Sequence, residues 1–471
     1  MVFSSTTFLF AFLPVVLLGH ALLRGIPGRN AFLLAFSLLF YAWGEGWGLI
    51  LMLCSIALNY ASGLLIERQP AHARRWLIMA LVVNLGLLVG FKYANFLVDN
   101  LNMVLLWSDL PTLYLAPVHL PVGISFFTFQ ALSYVVDVYR GETPAQRNPL
   151  RIALYISLFP QLIAGPIVRY VDVRDQMAGR RVSAEDFALG IERFIVGLAK
   201  KILLADTLAY TADKLFEAPA DALGPSAAWL GVVCYAFQIY FDFSGYSDMA
   251  IGMGRMLGFH FLENFRFPYF ATSVQDFWRR WHISLSTWFR DYLYIPLGGN
   301  RHGETRTFAN LLIVFFLCGL WHGASWNFVI WGLFHGTFLI LERSSWGRLL
   351  QKLPLLVRHA YLILTVLIGW VFFRADNLAQ AIDYLKAMMG ANAAPTYYAG
   401  LFLNTETILT LAAAAVLCLP YYARLAARIE APAFGKQWPR LIHRSALIGL
   451  FALSLITLIN STYNPFIYFR F

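Results

Sequence analysis

Charge is what this sequence has least of. Asp, Glu, Lys and Arg make up 13% of its 471 residues, where an ordinary soluble domain carries about 25%. The shortage runs the whole length, which excludes a soluble globular chain. Cysteine is also scarce. Cys54, Cys234, Cys318 and Cys418 all sit in apolar stretches, with no CxxC pair. That argues against a disulfide framework or a zinc set and leaves them as small core residues. P-loop and GxSxG motifs are missing. The ten histidines (His20, His72, His119, His260, His282, His302, His322, His335, His359 and His443) form no HxxxH or HxxHH box. ATP hydrolysis, serine-hydrolase chemistry and di-iron oxygenation therefore lose support, and no metal site is expected. The apolar stretch 8–23 lacks a basic segment before it and a clear small-residue cleavage site, so it reads as a retained first span.

What is there is apolar. Hydrophobic residues make up 59% of the chain and mean hydropathy is +0.61. A span needs about 20 apolar residues, though about 17 suffice. Candidates are residues 7–23, 31–43, 49–66, 76–97, 118–138, 152–168, 227–243, 308–320, 324–341, 361–373, 408–422 and 446–459. The pattern predicts an all-α polytopic membrane protein with roughly ten to twelve membrane elements. Several are short, and 152–168 is broken by Pro160 and by Gly165-Pro166. Broken elements persist in a membrane only where protein or a water-filled cavity satisfies their backbone groups. A hollowed bundle is the expectation. No repeat, low-complexity tract or long linker divides it, so residues 1–471 read as one integrated domain.

The net charge of +10 comes largely from Lys and Arg in short loops. That is a topology signal rather than a nucleic-acid footprint. Arg24, Arg29, Arg68, Arg74, Arg75, Arg140, Arg147 and Arg151 mark loops expected at the cytoplasm. Glu45, Asp99 and Asp109 mark the loops between them. The basic stretch 169–214, with Lys200 and Lys201, is also expected on the cytoplasmic surface.

Ionisable groups inside membrane segments cost about 2.5–3.5 kcal/mol each, so they mark partners, cavities or chemistry. Two histidines qualify. His322 lies in Leu317-Cys318-Gly319-Leu320-Trp321-His322-Gly323-Ala324, where small neighbours permit close approach of a backbone or a ligand. A neutral imidazole there is suited to general-base work. The plainer reading is a buried histidine bonded to a carbonyl. Cys318, one turn earlier, permits a Cys/His pair, but no charge fixes its thiolate. His282 lies in Asp276–Tyr292, where Trp278, Trp281, Leu285, Trp288 and Tyr292 recur at helical spacing. That pattern predicts one helix with Arg279 and Arg290 on its far side. An interfacial helix explains its Trp and Arg residues but leaves His282 over. His335, in Trp331-Gly332-Leu333-Phe334-His335-Gly336, is expected to be structural or cavity-lining. In Phe241-Asp242-Phe243-Ser244-Gly245-Tyr246-Ser247-Asp248 the carboxylates need partners, for which Arg255, Arg279 and Arg280 are candidates. The segment is either a buried ion-pair network or a polar channel wall.

Four segments carry a family resemblance. Phe241–Asp248, Phe277-Trp278-Arg279-Arg280-Trp281-His282-Ile283-Ser284, Tyr294-Ile295-Pro296-Leu297-Gly298-Gly299-Asn300 and Gly319-Leu320-Trp321-His322-Gly323-Ala324 resemble the membrane-bound O-acyltransferases. The nearest branch is the bacterial one that O-acetylates exopolysaccharide, alginate or cellulose. The opening Met1-Val2-Phe3-Ser4-Ser5 and the close Tyr463-Asn464-Pro465-Phe466-Ile467-Tyr468-Phe469 are similar too. The resemblance implies a ring of helices around a central funnel, with His322 at the constriction as catalytic histidine and His282 as the second. Trp281, Trp321, Ser284, Asp242, Ser244, Tyr246, Asp248, Arg279, Arg280 and His335 would line the substrate path. It implies a cytoplasmic thioester donor, acetyl-CoA, with no tightly bound cofactor, in a bacterial inner membrane. The acceptor polysaccharide lies outside, so an extracytoplasmic acetylating partner protein is expected. D-alanyl or other acyl transfer to a cell-wall polymer is the alternative within the family. A transporter is the rival from another class, but no matched pair of broken helices in two halves supports it.

Overall fold

A computed structural model describes residues 2–421 and 438–460. The segment 463–469, and Met1, lie outside the described residues. Among the described residues there is no strand, only an isolated bridge between Leu223 and Tyr397. Among the described residues five helices are long and apolar enough to cross a membrane: Gly48–Arg68, Pro70–Lys92, Gly303–His322, Leu355–Arg374 and Leu441–Asn460. Protein covers little of them. In Pro70–Lys92 only 17% of the apolar window is buried, and Ile78, Val82, Leu85 and Val89 face outward. Such faces require an apolar solvent, so the chain is a multi-pass membrane protein.

Packing divides the chain into two compact units, Met1–Ile191 with Ala250–Leu262, and Glu192–Met249 with Glu263–Phe471. In the first, Ile124–Arg140 packs on both Gly48–Arg68 and Ala73–Lys92 and is buried along almost its whole length. The last two are tied by reciprocal amides, Asn59 to Asn84, each 3.0 Å. A hydrogen bond of this kind in a membrane is worth about 1 kcal/mol. The candidate span 152–168 is not one rod. It is Pro149–Ser157, then Phe159–Leu162, then irregular chain, because Pro160 interrupts it. Residues 161–168 are nevertheless buried in protein, the condition under which a broken element survives in a membrane.

The second unit carries His282, His322 and His335. Gly303–His322 and Trp326–Arg343 form a tight hairpin. A Cβ at Gly319 would overlap the Phe328 carbonyl oxygen, and one at Gly332 would overlap that of Phe315. Only glycine permits backbones this close. A second close crossing joins Ala184–Ala199 to the 32-residue helix Pro225–Met256. Here Gly197 and Gly245 face each other's carbonyl oxygens, 2.5 and 2.7 Å from their would-be Cβ positions.

That crossing decides the charges. A π-turn, Lys200–Ala205, follows Ala199 and brings two lysines against the long helix. Lys201 bridges Asp242 at 2.8 Å and Asp206 at 2.5 Å. Asp248 accepts from Arg193 and Lys200, each at 2.7 Å, and Arg193 also reaches Glu263 at 2.6 Å. The partners are therefore Lys201, Arg193 and Lys200, not Arg255, Arg279 or Arg280. Lys201 is buried rather than displayed on a surface. Of the cysteines, Cys234, Cys318 and Cys418 are buried, whereas Cys54 faces outward.

Removing one partner of a buried ion pair costs about 3–5 kcal/mol. Lys201→Met strands Asp206 and Asp242 together, so it is expected to lower Tm sharply or abolish monodisperse protein in detergent. A wild-type unfolding curve for this variant would show that the three charges are not coupled.

Candidate active site

The segment around His282 is not the continuous helix that its tryptophan spacing predicts. It is Val274–Trp278, a break, Ile283–Phe289, and a π-turn Arg290–Tyr294. Glu342, at the end of the hairpin, fixes the first piece by accepting from the backbone N–H groups of Val274 and Gln275, at 2.6 and 2.9 Å. The break has its own supports. Arg266 N–H donates to the Arg280 carbonyl and Ile283 N–H to the Asn264 carbonyl, both at 2.9 Å. Between them His282 takes the left-handed conformation, φ 43°, uncommon for a residue with a Cβ. Trp278, Trp281, Leu285 and Trp288 are still buried, as their spacing requires.

His282 is fully buried. Its Nδ1 lies 3.1 Å from Asn264 Oδ1. Ser284 meets the same oxygen with its hydroxyl at 2.9 Å and its backbone N–H at 3.3 Å. The Asn264 amide nitrogen donates to Ser247 Oγ at 3.1 Å. His282 Nε2 has no hydrogen-bond partner among the described residues. Around the ring stand Phe243 at 4.6 Å, Trp321 at 6.2 Å and Phe265 at 6.5 Å between centroids.

His322 is the last residue of its helix and is buried. Trp321, Trp331 and Phe373 surround it edge-on at 4.9, 5.0 and 5.1 Å. Trp331 in turn contacts His335 at 5.2 Å, and Trp278 closes on both, at 5.7 Å from Trp331 and 5.3 Å from His335. Trp321 thus touches both His282 and His322, and Trp331 both His322 and His335. The indole N–H groups of Trp278 and Trp331, and both ring nitrogens of His335, have no partner among the described residues. The small residues near His322 admit the facing helix: Gly319 meets the Phe328 backbone and Gly323 its ring.

The remaining predicted residues divide. Trp281 packs against Phe277, Phe265 and Trp370. Phe243 and Ser247 reach the His282 environment, whereas Asp242 and Asp248 belong to the ion pairs. Ser244 and Tyr246 are buried in the long helix. Arg280 pairs with Asp276 at 2.8 Å. Arg279 lines a cavity of about 420 Å³ with Arg290, Arg343, Leu311, Phe315 and Cys318, within the usual range for small-ligand sites. Neither Arg279 nor Arg343 forms an ion pair among the described residues. Sequence reasoning missed Asn264 and Phe373 and placed Lys201 on a surface rather than among buried carboxylates. Asn264 sits in irregular chain, where no periodicity singles it out. Its amide among aromatic neighbours, Asn264-Phe265-Arg266-Phe267, is the one available sign.

Comparison with known proteins shows the family. The profile of MBOAT, the membrane-bound O-acyltransferase family, matches residues 49–380. The chain is 42% identical to a protein of Pseudomonas putida named probable alginate O-acetylase AlgI, over 100% of both chains. It is 40% identical to a peptidoglycan O-acetyltransferase of Helicobacter pylori, covering 83% of this chain and 80% of that one. A teichoic acid D-alanyltransferase of Bacillus subtilis is 28% identical over 50% of this chain and 62% of its own. The chain belongs to the membrane-bound O-acyltransferase family, and it is an acyltransferase.

Proposed function

We propose that this protein is a membrane O-acetyltransferase. It takes acetyl from a cytoplasmic thioester and passes it across the bacterial inner membrane for O-acetylation of an exopolysaccharide, alginate or cellulose. The full-length similarity to proteins named alginate O-acetylase is the observation that carries this reading. The similarity to a peptidoglycan O-acetyltransferase favours a cell-wall glycan as second choice of acceptor. Either way the acceptor is a carbohydrate hydroxyl. The chain works as one domain, with its shorter helices completing a bundle of ten to twelve membrane elements around a funnel.

His322 takes the hydroxyl proton as that oxygen attacks the thioester carbonyl. The tetrahedral centre then collapses, the C–S bond breaks, and the leaving thiolate recovers the proton from the imidazolium. The position at the carbonyl end of a helix supports this role, since helix C-termini favour positive charge. The apolar collar of Trp321, Trp331 and Phe373 excludes water that would otherwise hydrolyse the thioester. The Trp331 N–H, buried and without an acceptor among the described residues, is a donor for the developing oxyanion. His282 Nε2 receives a hydrogen bond from the acceptor or from a bound water.

Acetyl-CoA is the donor that fits the cavity beside Cys318. Its phosphates suit Arg279, Arg290 and Arg343, and its pantetheine arm suits the wall of Leu311 and Phe315. No cofactor is held. An extracytoplasmic partner carries the acetyl group to the polymer.

In nanodiscs with radiolabelled acetyl-CoA, His322→Ala is expected to lose about 10²–10⁴ in transfer rate with unchanged abundance and Tm. Wild-type turnover in this variant would overturn the mechanism. Arg279→Glu combined with Arg343→Glu should raise KM for acetyl-CoA at least about tenfold, the scale of one or two lost charge-assisted bonds, with kcat little changed. An unaltered KM would remove the donor from this cavity.

A further inference from the structure

The amide at the His282 break determines which nitrogen of that ring carries the proton. Ser284 N–H lies 3.3 Å from one atom of the Asn264 side chain. A backbone N–H can only donate, so that atom is the oxygen. Ser284 Oγ donates to the same oxygen at 2.9 Å. At the other end the amide nitrogen faces Ser247 Oγ at 3.1 Å, which accepts. The orientation of the amide therefore follows from its neighbours.

An amide oxygen has no proton to give. His282 Nδ1, 3.1 Å from it, must be the donor. Neutral imidazole carries one N–H, so Nε2 keeps its lone pair. That nitrogen is buried and has no partner among the described residues. The ring contacts of His282 are Phe243, Phe265 and Trp321, and its hydrogen-bond neighbours are Asn264 and Ser284. None is charged. The left-handed backbone at His282, pinned by the Ile283 to Asn264 bond, holds the ring against this one oxygen.

We infer that Asn264 is a positioning residue that locks His282 as the Nδ1–H tautomer and thereby presents Nε2 as a buried hydrogen-bond acceptor for a hydroxyl. The inference rests on the reading above, in which His282 serves the acyl transfer. Ser247 and Ser284 complete the device, Ser247 by holding the amide nitrogen and Ser284 by holding the oxygen. The ligand class follows: the group meeting Nε2 must bring its own proton, as an alcohol or water does and a thioester carbonyl does not.

The test begins with wild-type protein labelled with ¹⁵N-histidine in nanodiscs, with His282→Gln identifying the His282 resonances by subtraction. The expected signature at neutral pH is a protonated Nδ1 and a bare Nε2. A protonated Nε2 beside a bare Nδ1 overturns the inference. Kinetics follow. Asn264→Leu, similar in shape and without an acceptor, should lower kcat about 10–100-fold, the scale for partners that orient histidines, with KM nearly constant. Asn264→Asp keeps an oxygen for Nδ1, and Ser247 can reverse its hydroxyl to donate. It should retain activity at high pH, with the acid limb of the profile moved upward, because a carboxylate favours the imidazolium. A purely structural role would leave that limb in place, and an unmoved limb overturns the inference. Should Asn264→Leu fail to fold, the wild-type spectrum and the aspartate variant still decide. Full activity in His282→Gln sinks the reading beneath, whereas a wrong tautomer sinks this inference alone.

Discussion

Two backbone hydrogen bonds, Arg266 to Arg280 and Ile283 to Asn264, hold the site together. Both join stretches of irregular chain, and irregular chain in apolar surroundings must satisfy its own N–H and C=O groups. With these bonds in place the chain can leave a helix at Trp278, turn through a left-handed residue and resume at Ile283. A left-handed non-glycine residue costs of order 1–2 kcal/mol. Here the two backbone bonds and the Asn264 contacts offset it. Without the break, His282 would continue a helix and its ring would not meet Asn264.

The long helix Pro225–Met256 separates anchoring from lining. Asp242 and Asp248 hold it electrostatically to the chain around Lys201. Phe243 and Ser247, four residues apart and so on one face, reach the surroundings of His282. One acidic, hydroxyl-rich motif therefore contributes twice, and its carboxylates are absorbed by ion pairs rather than offered to substrate. The aromatic residues divide similarly. Trp331 and Phe373 enclose His322, while Trp281 and Trp370 brace the break from behind.

Much of this was legible in the residues. Apolar runs locate the membrane helices, although Ile26–Glu45 and Leu355–Arg374 run longer than the candidate runs 31–43 and 361–373, since Arg29 and Asn30 in the one and Arg358 and His359 in the other interrupt the hydropathy signal inside the helix. Histidines in apolar context are easy to single out, and the glycines beside His322 do mark a close approach. It is the approach of the facing helix, seen at Gly319. The continuous helix over 276–292 was misread because tryptophans spaced by three and four can be buried by a broken chain as well as by a whole one. Partner choice was illegible too. Nothing local to Asp242 or Asp248 points to lysines forty to fifty residues upstream, because the Gly197–Gly245 crossing that joins them is a tertiary event. Asn264 escaped for a related reason, since its meaning depends on three groups that the fold brings to it.

The sparsely covered helix Pro70–Lys92 has a consequence for the bilayer itself. Between Arg75 and Lys92 its uncharged stretch is 16 residues long and reaches about 24 Å at about 1.5 Å per residue, short of the hydrocarbon core of about 30 Å. A shortfall of this kind is absorbed by local thinning of the bilayer or by flanking side chains such as Arg74 and Arg75 reaching for the interface, at fractions of a kcal/mol per ångström. Most of its surface touches lipid rather than protein, so the adjustment falls on the lipid side. A sparsely braced edge of the protein is thus one that registers membrane thickness.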